Sequence, residues 1–214
     1  MTPRRHGRRI GFVGTRFDGT DGVSLEAAKW ASVLEEEGVI CHFLSGENDT
    51  PPARSRAVPE MHFKHPDIAE IYETSFTTGI RPEAMTRRIH RLKDHIKSAI
   101  AAYVRDFDIE LLIVENALAI PMNVPLGLAL TEYIAETGMP AIAHHHDFFW
   151  ERKRFLVNCI WDYLNMAFPP HLPTIQHVVI NTSASNQLSL RTGISGTLVP
   201  NVLDFDHPPV PADG

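Results

Sequence analysis

The chain has 214 residues, 43% of them hydrophobic and 21% charged, and a formal net charge of −6. That length suits one α/β domain with a full core and is short for two, and the acidic balance argues against a general nucleic-acid or anionic-membrane surface. Cys41 and Cys159 lack partner spacing and sit in apolar stretches, as buried thiols of a reducing compartment do, and the apolar run 10–14 is too short for a secretory leader, so a cytoplasmic protein is expected.

The opening MTPRRHGRR crowds Arg4, Arg5, Arg8 and Arg9 together, and residues 1–7 are expected to form a flexible basic leader. RRIGFVGT (8–15) is a short apolar run ending in glycine, a strand that passes into a loop. Residues 22–37 read as a helix with Val23, Ala27, Ala31 and Leu34 on one face, Asp21 as its N-cap and Gly38 as its stop. VICHFL (39–44) is the second strand, and this strand–helix–strand unit opens a parallel sheet.

Residues 45–80 contain Pro51, Pro52, Pro59 and Pro66 and are expected to be an irregular surface excursion. A long helix follows over 82–107, where Met85, Ile89, Leu92, Ile96, Ile100, Tyr103 and Phe107 step by three or four. ELLIV (110–114) is the third strand. The segment 111–130 has the length of a membrane span, but Glu115, Asn116, Pro121, Asn123 and Pro125 interrupt it. It reads instead as a buried strand, a polar loop and a helix opened by Pro125 and closed by Gly138, and no stable membrane insertion is expected. PAIAHHH (140–146) is the fourth strand, 152–166 a helix, HVVIN (177–181) the fifth strand, 183–192 a short helix and GTLVP (196–200) the sixth strand. Strands apolar on both faces, alternating with helices, predict an α/β fold: a Rossmann-like, doubly wound parallel sheet of at least six strands over residues 8–202. The Pro- and Asp-rich residues 203–214 read as a linker.

Ligands of open parallel sheets collect beyond the carboxyl ends of the strands, and three polar clusters fall there. In GTRFDGTDGVS (14–24), Gly14, Gly19 and Gly22 permit tight turns, and the following helix start favours phosphate or another anion, although the glycine spacing is not that of a dinucleotide fingerprint. A plain connecting loop is the alternative. Glu115 and Asn116 follow the third strand, where the carboxylate is either exposed at the strand's end or an expensive burial, and a helix-capping pair is the plain alternative. In AHHHDFFWERKRF (143–155), alternation along the strand puts His144 and His146 on one face and His145 on the other. His144, His146 and Asp147 would suit a metal; Asp147 as an N-cap beside packed aromatics, or a cleft with Arg152, Lys153 and Arg154 near an anionic ligand, are the other readings.

HVVINTSASNQLSLRTGISGTLVPNVLDFD (177–206) resembles the end of the N-terminal domain of retaining GT-B glycosyltransferases of the family 4 group. The motif Pro200-Asn201-Val202-Leu203-Asp204 has Val202 where the family usually carries glycine, and Asp21-Gly22-Val23 looks like the family's Gly-Gly-Val phosphate loop, one glycine short. AHHHD matches the family's histidine at the end of a strand, and the likeness runs in order through residues 8–206.

This resemblance implies the N-terminal lobe of a GT-B fold that binds a small sugar acceptor, with a nucleotide-diphosphate sugar as co-substrate and no metal or other cofactor. A second, C-terminal Rossmann-like domain, the donor-binding partner, is expected beyond the linker and is missing from this chain, which alone should not turn over. His145 or His146 would face the reacting sugar. The acceptor, by the position of the bases, is expected to be anionic and gripped by some of Arg16, Arg152, Lys153 and Arg154, and Gly14, Arg16, Asp21, Gly22, Val23, Glu115, Asn116, His144, Asp147, Arg152, Lys153 and Asn201 are expected to bind substrate. Two rivals stand beside it: a catalytically inactive stand-alone binding module, and a His/Asp metal-dependent hydrolase.

Overall fold

The computed structural model describes residues 7–201, so the expectations for Arg4 and Arg5, for Val202-Leu203-Asp204 and for the linker over 203–214 lie outside the described residues. The elements run β1 (Arg9–Val13), α1 (Gly22–Glu36), β2 (Ile40–Ser45), β3 (Ser55–Ala57), α2 (Pro66–Thr77), α3 (Glu83–Asp106), β4 (Leu111–Glu115) and α4 (Val124–Thr137). They continue with β5 (Ala141–His145), α5 (Trp161–Ala167), β6 (Ile175–Val179), α6 (Thr182–Thr192) and β7 (Gly196–Leu198). The strands form one sheet in the order β3-β2-β1-β4-β5-β6-β7, and every pairing is parallel.

Strand alternation sorts the core into two layers. Ile10, Phe12, Cys41 and Ile113 pack beneath Ala27 and Ala31 of α1. Their neighbours Val13, Leu112 and Val114 point the other way, beneath Ile96, Ile100 and Tyr103 of α3 and Leu126, Ala129 and Leu130 of α4. Helices therefore cover both faces, which is the doubly wound, Rossmann-like arrangement. The chain leaves β1 toward β2 and β3, then returns to β4 on the other side of β1, so strand order reverses between β1 and β4. A crevice opens at such a point beyond the carboxyl ends of the strands.

Two expectations are corrected. Residues 45–80 are not irregular throughout: they hold β3, a 3-10 turn over Pro59–Met61 and α2. Pro66 starts α2 at a position where a missing N–H is harmless, and Ile68, Ile71 and Ser75 are buried along its inner face. The helix expected over 152–166 is instead a 3-10 turn over Lys153–Phe155 and the seven-residue α5. Phe148 and Phe155 are both fully buried, and the Asn158 side chain donates to Phe155 O and accepts from Ile160 N, which bends the chain before α5. The caps foreseen at Asp21 and Gly138 are present, Gly138 in the left-handed conformation at φ 66°. Among the described residues no helix is long and apolar enough to cross a membrane.

Candidate functional site

The reversal of strand order brings the loop after β1 and the loop after β4 side by side, and between them lies a cavity of about 370 Å³. Its lining includes Arg16, Asp21 and Val23 from the first loop, Glu115 and Asn116 from the second, and Arg152 from the stretch after β5. Phe63, Ile120, Met122, Asn123 and Arg154 complete most of the remaining wall.

The first loop is built differently from a phosphate cradle. A Cβ on Gly14 would lie 2.8 Å from the Phe17 ring, so this glycine makes room for a buried aromatic. Gly22 has open space around it, and Gly19 is the glycine of this loop that uses left-handed backbone, at φ 74°. Asp21 fills the start of α1 with its own carboxylate: Oδ1 accepts from Val23 N at 3.1 Å and Ser24 N at 3.3 Å. Oδ2 accepts from Ser24 Oγ at 2.7 Å and from the Arg16 guanidinium at 2.9 Å. Burial pushes the Asp21 carboxyl up, but these bonds from Ser24 and Arg16 outweigh it and hold the group below the usual carboxylate value. Arg16 also lies over the Phe63 ring, 5.7 Å from its centroid.

Asn116 staples the second loop to the third. Its backbone is left-handed at φ 56°, a conformation asparagine tolerates better than most residues. Asn116 N donates to His144 O at 2.9 Å, its side-chain oxygen accepts from His146 N at 3.1 Å, and its amide donates to Asp147 Oδ1 at 2.9 Å. The other Asp147 oxygen accepts from Arg152 Nε. Asp147 therefore orients Arg152 rather than capping a helix.

Glu115 and His144 are register partners on β4 and β5, and both side chains are fully buried. Glu115 Oε2 lies 3.0 Å from His144 Nδ1 and 3.2 Å from His146 Nε2. Burial alone would raise this carboxyl, but the two imidazoles bring it below its ordinary value, so it is ionised. His144 is also stacked on Trp30 of α1, with ring centroids 4.5 Å apart. His146 is partly open, its side chain 13% exposed.

Glu115, His144 and His146 present ligand atoms within 4.8 Å of one another. Two histidines and one carboxylate are a donor set for a divalent first-row metal. The spacings are nonetheless those of hydrogen bonds, and they satisfy the carboxylate with two imidazole N–H groups. Metal ligation through Nδ1 would put the His144 proton on Nε2, a buried atom with no hydrogen-bond partner among the described residues. Asp147, the carboxylate weighed for a metal from sequence, is outside this group.

His145 corrects an expectation. Strand alternation turns it away from Glu115, and it is 1% exposed. Its Nε2 lies 2.8 Å from His177 Nδ1, and its ring packs beside Phe148. Its ring is closed off from solvent there, whereas the His146 side chain is partly open. Lys153 and Asn201 are exposed and lie outside the cavity lining, as do Gly14, Gly22, His144, His146 and Asp147. The sequence reading missed Phe63, Met122 and Asn123. Asn123 was foreseeable as the polar residue just before Pro125; Phe63 and Met122 carry no local signal.

No family model matches the sequence. It is 30% identical over 208 residues, 92% of this chain, to the mannosylglucosylglycerate synthase of Petrotoga mobilis. To the mannosylglucosylglycerate synthase of Thermotoga maritima it is 32% identical over 206 residues, 94% of this chain. Each match covers 46% of the relative, so the chain spans about half the length of the curated relatives it matches.

Proposed function

We propose that this chain is the acceptor-binding lobe of a cytoplasmic, nucleotide-sugar-dependent hexosyltransferase of the retaining GT-B kind, acting on a small hydroxylated acid. The observation that carries this reading is the 30–32% identity, over nearly the whole chain, to two glycosyltransferases named for a mannosyl and a glucosyl unit on glycerate. A Rossmann-like sheet with a polar crevice at its point of strand-order reversal supports it. The donor would be held by a second Rossmann-like domain.

In this reading the acceptor lies in the cavity between α1 and the loop after β4. The reaction the family resemblance implies runs without a metal and without a covalent enzyme intermediate: the departing phosphate takes the acceptor proton, and the protein contributes position and charge. Glu115 and Asn116 fix the polar floor, and His146, outside the lining, helps hold Glu115 in place. The acceptor's negative charge meets Arg154. Arg16 is paired with Asp21 and Arg152 with Asp147, whereas Arg154 packs over Phe155 at 4.7 Å and, among the described residues, pairs with no carboxylate.

Calorimetry on this chain with glucosylglycerate and its neutral analogue glucosylglycerol tests the reading. A charge-assisted bond contributes about 1.5–3 kcal/mol, so Arg154→Ala should weaken the charged ligand about tenfold or more. The neutral ligand should change little. Equal loss for both ligands, or none for either, overturns the proposal.

A further inference from the structure

The cavity has a feature at odds with an anion-binding crevice: at the start of α1, where free N–H groups would attract a phosphate, a carboxylate is already seated. The Asp21 side chain takes the N–H groups of Val23 and Ser24, the Ser24 hydroxyl and one arm of Arg16. It also lines the cavity. We propose that Asp21 is a specificity residue which excludes phosphate: it fills the anion seat of α1, so that this end of the cavity accepts hydrogen bonds from hydroxyl groups and rejects phosphorylated acceptors. This rests on the acceptor-lobe reading and names what that lobe refuses.

Three observations lead there. The first is occupancy. A phosphate at the N-terminus of α1 would have to displace a carboxylate that is ionised and held by four hydrogen bonds. The second is the charge of the wall. Of the three arginines that line the wall, Arg16 is paired with Asp21 and Arg152 with Asp147, while Arg154 pairs with no carboxylate among the described residues, so one arginine is left for a ligand. That matches a carboxylate, with a single charge, and falls short of a phosphate monoester, which carries about −1.5 to −2 near neutral pH. The third is partnering. The arginine beside the anion seat is already engaged by Asp21, while Arg154, elsewhere on the wall, pairs with no carboxylate among the described residues. The single negative charge of a ligand is thus drawn to Arg154, and the Asp21 carboxylate meets its hydroxyls as an acceptor.

The experiment uses this chain and two probes, inorganic phosphate and glycerate, with dissociation constants read from amide chemical-shift titrations. Asp21→Gly opens the seat and Asp21→Asn keeps its shape without its charge; both residues are accepted N-caps, and the amide spectrum of each variant reports whether α1 is intact. The wild-type chain should bind phosphate at least tenfold more weakly than Asp21→Gly does, with Asp21→Asn in between. Val23 and Ser24 amides should report the gained phosphate, and glycerate, which loses a hydroxyl partner in Asp21→Gly, should bind that variant no more tightly than the wild-type chain. Phosphate binding as tight in the wild-type chain as in Asp21→Gly overturns the proposal. So does a phosphate gain in neither variant while α1 remains folded. If Asp21→Gly unfolds α1, Asp21→Asn decides on the same phosphate criterion. Failure of glycerate to bind the wild-type chain would count against the acceptor reading at Arg154 and leave the phosphate comparison to judge Asp21 by itself.

Discussion

His145 and His177 form a pair that the proposed chemistry does not use, buried on the face of the sheet away from Glu115. Neither residue is more than 3% exposed, and with 2.8 Å between Nε2 and Nδ1 one nitrogen donates and the other accepts, so the accepting ring is neutral and the pair cannot take up a proton on each ring and keep this bond. Burial lowers both, His145 well below its usual value and His177 to about 4. The unfolded chain takes protons near pH 6.5, so the stability from this pair is complete above that value and is lost as pH falls from about 6.5 toward 4. Each unit of pH below 6.5 should cost about 1.4 kcal/mol through His177 alone. Urea denaturation at pH 7, 5.5 and 4.5 reads this, and His177→Gln should flatten the acid limb; an unchanged slope would contradict the account. At this scale the sequence was informative about direction and silent about partners. Consecutive histidines at the end of a strand had to alternate, and they do: His144 meets Glu115 and His145 turns away. That His144 meets Glu115 and His145 meets His177 depends on the register of β4, β5 and β6, which no local spacing encodes.

Asn123 shows how an element is tied to the site. Its side-chain oxygen caps α4 by accepting from Leu126 N at 3.0 Å, and its amide donates to Glu60 O at 2.9 Å and Met61 O at 3.0 Å. One buried residue thus fixes the start of α4 and the turn that leads to Phe63 and α2. Asn123→Ala should destabilise the protein by about 2–4 kcal/mol, combining roughly 1 for the cap with 1–3 for buried groups left unpaired. Asn123→Asp keeps the cap and loses both donors, so it should lie between; equal stability of all three proteins in chemical denaturation would contradict this. The long helices were legible because their patterns are strong: α3 buries Met85, Ile89, Ile96, Ile100 and Tyr103 as its periodicity requires. The segments after β2 and after β5 were not. In the first, closely spaced prolines obscured the short α2. In the second, a run that looked amphipathic is broken because Phe148, Phe155 and Ile160 are each pulled into the core from irregular backbone. Both misread segments furnish walls of the cavity, through Phe63 and through Arg152 and Arg154.

For the molecule as a whole, the doubly wound sheet was legible because six apolar strands alternating with helices admit few other topologies; the seventh, β3, is the polar Ser55–Ala57 and carried no such signal. The cavity was only half legible. Strand polarity brings the loops after β1, β4 and β5 to one edge, but which side chains look inward follows from packing. The electrostatic design is coherent at this scale. A chain of net charge −6 places three arginines around one crevice and neutralises two of them with its own carboxylates. That pattern suits a small monoanion better than a nucleotide diphosphate. The most direct test of the account is therefore a side-by-side titration of the isotope-labelled chain with glucosylglycerate and with UDP- and GDP-hexoses, followed by amide chemical shifts. The account predicts saturable binding of glucosylglycerate, with shifts centred on residues 15–23, 115–123 and 152–154, and at least tenfold weaker binding of every nucleotide-sugar. Tighter binding of a nucleotide-sugar than of the acid, or shifts centred away from those three loops, would contradict it.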